Sequence, residues 1–139
     1  IRLFMKEEIK LKMKFCYELD PVGKMYMNSG AIVDAKKYNI GYSIYLGRLL
    51  FIISDKGINE SLKIIDKLEK GILTCYEAGT ETMDYYMYKN KVDFIDWFGD
   101  YDDWSCTIEE FTKALLGKKK FLEMPRDINS YLEVEINDL

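Results

Sequence analysis

The chain contains no histidine. That absence removes Ser-His-Asp and Cys-His catalysis, His-containing zinc sites and the commonest general base at neutral pH. Its three cysteines, Cys16, Cys75 and Cys106, form no C-x-x-C pair. An odd, scattered set reads as reduced thiols acting as small apolar fillers in a cytoplasmic protein. No apolar run approaches the roughly 18 residues of a membrane span. Neither G-x-x-x-x-G-K-[ST] nor G-x-G-x-x-G occurs, so neither loop signature of nucleotide binding is present. No repeat, linker or low-complexity stretch interrupts the chain.

With 139 residues, 48% of them hydrophobic, the chain fits one domain with an adequate core. Residues 1–4 precede the first methionine, Met5, and read as an expression remnant or an upstream extension. Lys6, Glu7 and Glu8 break the apolar character at once, so no secretory leader is expected. The net charge is only −4, but it is polarised. Residues 1–72 hold 13 Lys and Arg against 9 Asp and Glu; residues 73–139 hold 7 against 15. Net charge steers association rather than fold, so the polarity points to an electrostatic partner. An acidic half repels phosphate and argues against nucleic acid.

Residues 9–19 alternate strictly: Ile9, Leu11, Met13, Phe15, Tyr17 and Leu19 against Lys10, Lys12, Lys14, Cys16 and Glu18. Period two predicts a half-buried strand with a lysine row on its solvent face. Asp20-Pro21-Val22-Gly23 is a turn signal. Short strands are expected at Lys24–Met27 and Ala31–Val33, and a longer strand or a hairpin over Ile40–Ile53, rich in aromatic and β-branched residues. A helix follows from Asn59, with Ile58, Leu62, Ile65, Leu68 and Ile72 inward and Gly71 closing it. Leu73–Ala78 reads as a strand. Met83–Tyr88 and Val92–Phe98 read as a hairpin turning at Lys89-Asn90-Lys91. Thr107-Ile108-Glu109-Glu110 is a capping box opening a second helix, with Ile108, Phe111, Ala114 and Leu115 inward. That helix is expected to end at Gly117 or the lysines after it. Tyr131–Ile136 alternates as a last strand. The sum is a single α+β domain over 1–139, a mostly antiparallel sheet of five to seven strands with two amphipathic helices.

The densest chemistry lies in 83–110, where eight aromatics stand among eight carboxylates and two lysines. Asp100, Asp102 and Asp103 open like a calcium loop, but Trp104, Ser105 and Phe111 occupy positions that need ligands or glycine. A pair of carboxylates can run hydrolysis, though a chain this short leaves little room for a cleft beside its core. Binding is the better use. Tyr and Trp supply rigid contact area, while carboxylates complement Lys and Arg opposite. The expected partner surface is Asp96, Asp100, Tyr101, Asp102, Asp103 and Trp104. No catalytic residue, metal or cofactor is expected.

Three segments carry a resemblance: Val92–Phe98, Thr107–Leu115 and Phe121–Pro125. With its small, acidic, His-free make-up, the chain resembles the cytosolic immunity proteins of bacterial polymorphic and contact-dependent growth inhibition toxin systems. The resemblance implies a protein that is not an enzyme and blocks a cognate toxin domain, commonly a nuclease with a basic groove, in the cytoplasm. It implies no nucleic-acid or membrane partner. The runner-up reading is a scaffold or assembly subunit using the lysine-faced strand or an exposed edge for β-augmentation. A small carboxylate-based hydrolase comes third.

Overall fold

The computed structural model describes residues 10–137. The readings made for residues 1–8, and Ile9 at the head of the first strand, lie outside that range. Seven strands form two antiparallel sheets and three α-helices pack among them, an α+β domain. The expectation of one sheet is corrected: among these residues a three-stranded sheet and a four-stranded sheet are separate.

In the first sheet, β1 (Lys12–Leu19) is the central strand between β2 (Met25–Ile32) and β7 (Tyr131–Glu135). Its inward row of Met13, Phe15 and Tyr17 is buried, as alternation requires. The outward lysines meet the carboxylates of β7: Lys12 lies 3.9 Å from Glu133 and Lys10 lies 3.5 Å from Glu135. The row is therefore cross-strand charge pairing on a sheet face. The two short strands expected on either side of Asn28-Ser29-Gly30 are one strand with an irregularity, where register shifts opposite Lys14/Phe15. Gly30 takes φ +100° there, a backbone open to glycine.

Residues 41–52 are helical, which corrects the strand or hairpin expected over Ile40–Ile53. A π-helical turn, Tyr42–Gly47, runs into α1 (Arg48–Ile52). Ile44, Tyr45, Leu46, Leu49 and Leu50 are buried, and the exposed positions include apolar Phe51 and Ile52, so no polar stripe marks the period. A Cβ on Gly30 would lie 2.8 Å from the Gly47 carbonyl oxygen, and one on Gly47 2.8 Å from that of Gly30. This glycine pair lets helix and strand backbones touch. Ser29 Oγ donates to the Leu50 carbonyl at 2.8 Å and fixes the crossing. From the helix that follows Thr107, buried Lys118 donates to the carbonyls of Leu50 (2.7 Å) and Ile53 (2.6 Å), satisfying helix-end acceptors. Burial pushes its ammonium down to about 8.

Helix α2 (Asp55–Glu69) starts earlier than expected. Its N-cap is Ser54, whose Oγ accepts from Gly57 N at 3.1 Å, not Asn59. Gly57 inside the first turn hides that start in the sequence. Gly71, at φ +75°, follows the helix as expected, and Ile72 lies beyond it and exposed. Helix α3 (Ile108–Leu122) begins with the expected capping box: Thr107 Oγ1 accepts from Glu110 N, and Glu110 Oε1 from Thr107 N. It does not stop at Gly117. A Cβ there would lie 3.1 Å from the Phe15 ring and from Val134, so this glycine serves close packing on the first sheet. Ile108, Phe111, Ala114 and Leu115 are buried as expected. Because α3 also packs on β5 (Lys91–Asp96) and β6 (Trp104–Thr107), it joins the two sheets over one core.

Candidate interaction surface

The second sheet sorts the aromatic, acidic stretch by parity. β3 is Tyr76–Gly79 and β4 is Met83–Met87. Met83, Tyr85 and Met87 of β4, Val92 and Phe94 of β5, and Cys106 of β6 point inward and are buried. The opposite parity leaves Glu77, Asp84, Tyr86, Asp93, Ile95 and Ser105 on the outer face. Register aligns Glu77, Tyr86, Asp93 and Ser105 as one row across four strands, and Asp84 with Ile95 beside it. Tyr86 donates to Glu77 at 3.2 Å, and Ser105 to Asp93 at 2.6 Å. Lys91 reaches Asp93 at 3.3 Å and stands 5.3 Å from the Tyr88 ring centre. The Glu77 carboxylate raises the Tyr86 phenol above its ordinary value. A shallow groove of about 560 Å³ crosses this face between Tyr86, Tyr88, Asp93, Asp103 and Trp104.

At the end of β5 the acidic row turns a corner. Trp97 N donates to the Thr82 carbonyl at 3.0 Å, holding the strand one residue further. Trp97 and Phe98 are then 53% and 67% exposed, large fractions for side chains of this size. Gly99 at φ +67° makes the turn. Asp96 is buried, and its Oδ2 accepts from Asp100 N at 2.9 Å. Asp100, Tyr101, Asp102 and Asp103 are exposed. Arg48 lies 6.0 Å over the Tyr101 ring, and the Asp102 carbonyl accepts from the Tyr45 hydroxyl at 2.7 Å.

The six residues singled out in the sequence thus share one corner but divide in orientation. Asp100, Tyr101, Asp102 and Asp103 face solvent; Asp96 shapes the turn beneath them. Trp104 is half-buried in a ring cluster, 4.7 Å from Tyr42, 5.8 Å from Phe94 and 6.2 Å from Tyr45 between centres. A Cβ on Gly41 would lie 2.3 Å from the Trp104 ring, so the ring lies flat against that backbone. Trp97, Phe98, Ile95 and the Tyr86 row complete the surface and were not singled out. Their signal was already present: once Val92 and Phe94 point inward, Ile95 and Trp97 must point out.

The interior polar cluster is of another kind. Glu110 Oε2 accepts from Tyr42 (2.6 Å) and Asn137 (3.0 Å), while Oε1 serves the helix cap. Burial, then the Glu110 hydrogen bond, raise the Tyr42 phenol well above its ordinary value. Every acceptor here has a donor from the fold itself, which suits a structural network. Among the described residues no group of three His, Cys, Asp or Glu side chains is placed to hold a metal ion. No helix among them is long and apolar enough to cross a membrane. Comparison with protein-family models, curated proteins and solved structures finds no match.

Proposed function

We propose that the protein is an immunity protein that binds and neutralises a basic toxin domain of the nuclease class. It acts stoichiometrically, without turnover. The observation that carries this reading is the continuous outer surface from the Glu77–Tyr86–Asp93 row to Trp97, Phe98 and the Asp100–Asp103 loop. Apolar anchors ringed by carboxylates suit an interface in which a few buried aromatics hold the partner and rim charges guide it. A nuclease must attract phosphate, so its groove is basic, and an acidic inhibitor gains on-rate from the same field. The resemblance of the 92–98, 107–115 and 121–125 segments to immunity proteins points the same way.

The test begins with affinity capture of the partner and binding kinetics at two salt concentrations. Asp100→Asn, Asp102→Asn and Asp103→Asn are expected to slow association and flatten its salt dependence. Trp97→Ala and Phe98→Ala are expected to speed dissociation, each losing ~2 kcal/mol. Urea stability should hold in all five, because these side chains stand in solvent. An acidic partner, or five variants that bind like the parent, would sink the proposal.

A further inference from the structure

A second surface lies on the other side of the same sheet, at its open edge. Among the described residues β3 is the outermost strand of its sheet and pairs only with β4. Thr80 N donates to the Met83 carbonyl at 2.8 Å, which marks that pair as hydrogen-bonded. Antiparallel alternation then turns the backbone N–H and C=O of Glu77 and Gly79 away from β4, to the open edge. Beside that edge, under the inner face, runs a cleft of about 590 Å³ between the sheet and the α1–α2 pair. Leu49, Ile52, Ile53, Ile64, Ala78 and Tyr85 line it. Ile52 and Tyr76 stand 55% and 40% exposed at its mouth. An unpaired strand edge next to an apolar cleft has two complementary needs: a backbone to hydrogen-bond and side chains to fill the space.

The geometry points to a peptide-docking site in which an extended segment of a partner protein adds to β3 as a fifth strand. Its main chain pairs with Glu77 and Gly79, and alternate apolar side chains enter the cleft. The remaining side chains fall on the outer face, beside Glu77 and, one strand further, Asp84. On the cleft side, Glu60 and Glu81 line the groove with Arg48. Lys56 stands 4.0 Å from Glu60, whereas Glu77 and Glu81 form no ion pair among the described residues. The partner segment is therefore amphipathic, apolar on one face and carrying Lys or Arg on the other. The cleft lies on the face of the sheet opposite the acidic row, and of that row the docked segment meets only Glu77 at the open edge.

A randomised nonapeptide library panned on the full chain tests this. Enriched peptides are expected to alternate apolar residues with Lys or Arg, and one of them, labelled, gives an affinity by fluorescence polarisation. Glu77→Pro removes an open-edge N–H without removing a β3–β4 backbone hydrogen bond, and Ile52→Glu places a charge at the cleft mouth. Each is expected to weaken that peptide roughly tenfold or more, while Trp97→Ala leaves it unchanged. N-methylation of alternate peptide amides is expected to abolish binding, which keeps the test decisive even if the proline variant folds poorly. Amide NMR shifts should centre on Glu77 and Gly79. No enrichment, a consensus without alternation, or equal binding by both edge variants would overturn the proposal. A concentration-dependent dimer dissolved by Glu77→Pro would overturn it too, by giving the edge to a second copy.

Discussion

Glu110 offers the sharpest test of how this fold is held. Its carboxylate is buried and takes three donors: Thr107 N (2.9 Å), Tyr42 Oη (2.6 Å) and Asn137 Nδ2 (3.0 Å). Glu110→Gln keeps the shape but has one acceptor oxygen in place of two. The better orientation puts that oxygen towards Tyr42 and Asn137, leaving an NH₂ against the Thr107 N–H. One charge-assisted bond, ~1.5–3 kcal/mol, is lost and two fall to neutral strength. The expected destabilisation is about 3 kcal/mol in urea melts at neutral pH, with the m-value unchanged. Tyr42→Phe alone removes one charge-assisted bond and is expected to cost about 2 kcal/mol. In the Glu110→Gln background it should cost about 1 kcal/mol, a coupling of about 1 kcal/mol in the double-mutant cycle. If Glu110→Gln stays within about 0.5 kcal/mol of the parent, or Tyr42→Phe costs the same in both backgrounds, the network is not holding the helix start.

Phe111→Ala should cost ~3–5 kcal/mol, because its ring is fully buried, 6.1 Å from Tyr85 and 6.4 Å from Phe94 between centres; a near-neutral urea melt would refute that packing. Thr107→Ala, which removes one capping bond, should cost only ~1 kcal/mol by the same assay. Lys118 titrates at about 8 in the fold, below the ordinary 10.5, so between those values the unfolded chain holds the extra proton and stability rises with pH. The stability of the parent minus that of Lys118→Met should therefore increase from pH 8 to pH 10.5; a decrease would mean that the carbonyls around Nζ favour the ammonium.

Most local signals read correctly, the α2 start at Ser54 rather than Asn59 excepted. β1 shows as alternation, the α3 start as T-x-x-E, the hairpin expected over 83–98 with a turn at Lys89-Asn90-Lys91 as the pair Met83–Met87 and Lys91–Asp96, and the fold class as their sum. Each of these signals is written within a few residues, because one face is wet and the other dry. The helix at 42–52 puts apolar Phe51 and Ile52 on its exposed side along with Ser43 and Arg48, so no polar stripe marks it and its apolar run fits a strand equally well; only packing against Gly30 and the cap from Lys118 decide it. Gly117 looks like a helix stop until Phe15 and Val134, far away in sequence, show what the missing side chain makes room for. The corner at 96–104 divides in the same way. Sequence put aromatics and acids together, but pairing with β4 and the ring cluster around Trp104 chose which face solvent and which face the core. Composition and spacing determined the kind of most elements, the helix at 42–52 excepted, and the acidic, aromatic character of the surface. Long-range contact alone determined orientation, since side chains distant in the chain compete for the same interior volume and only the assembled sheets and helices say which of them enter it.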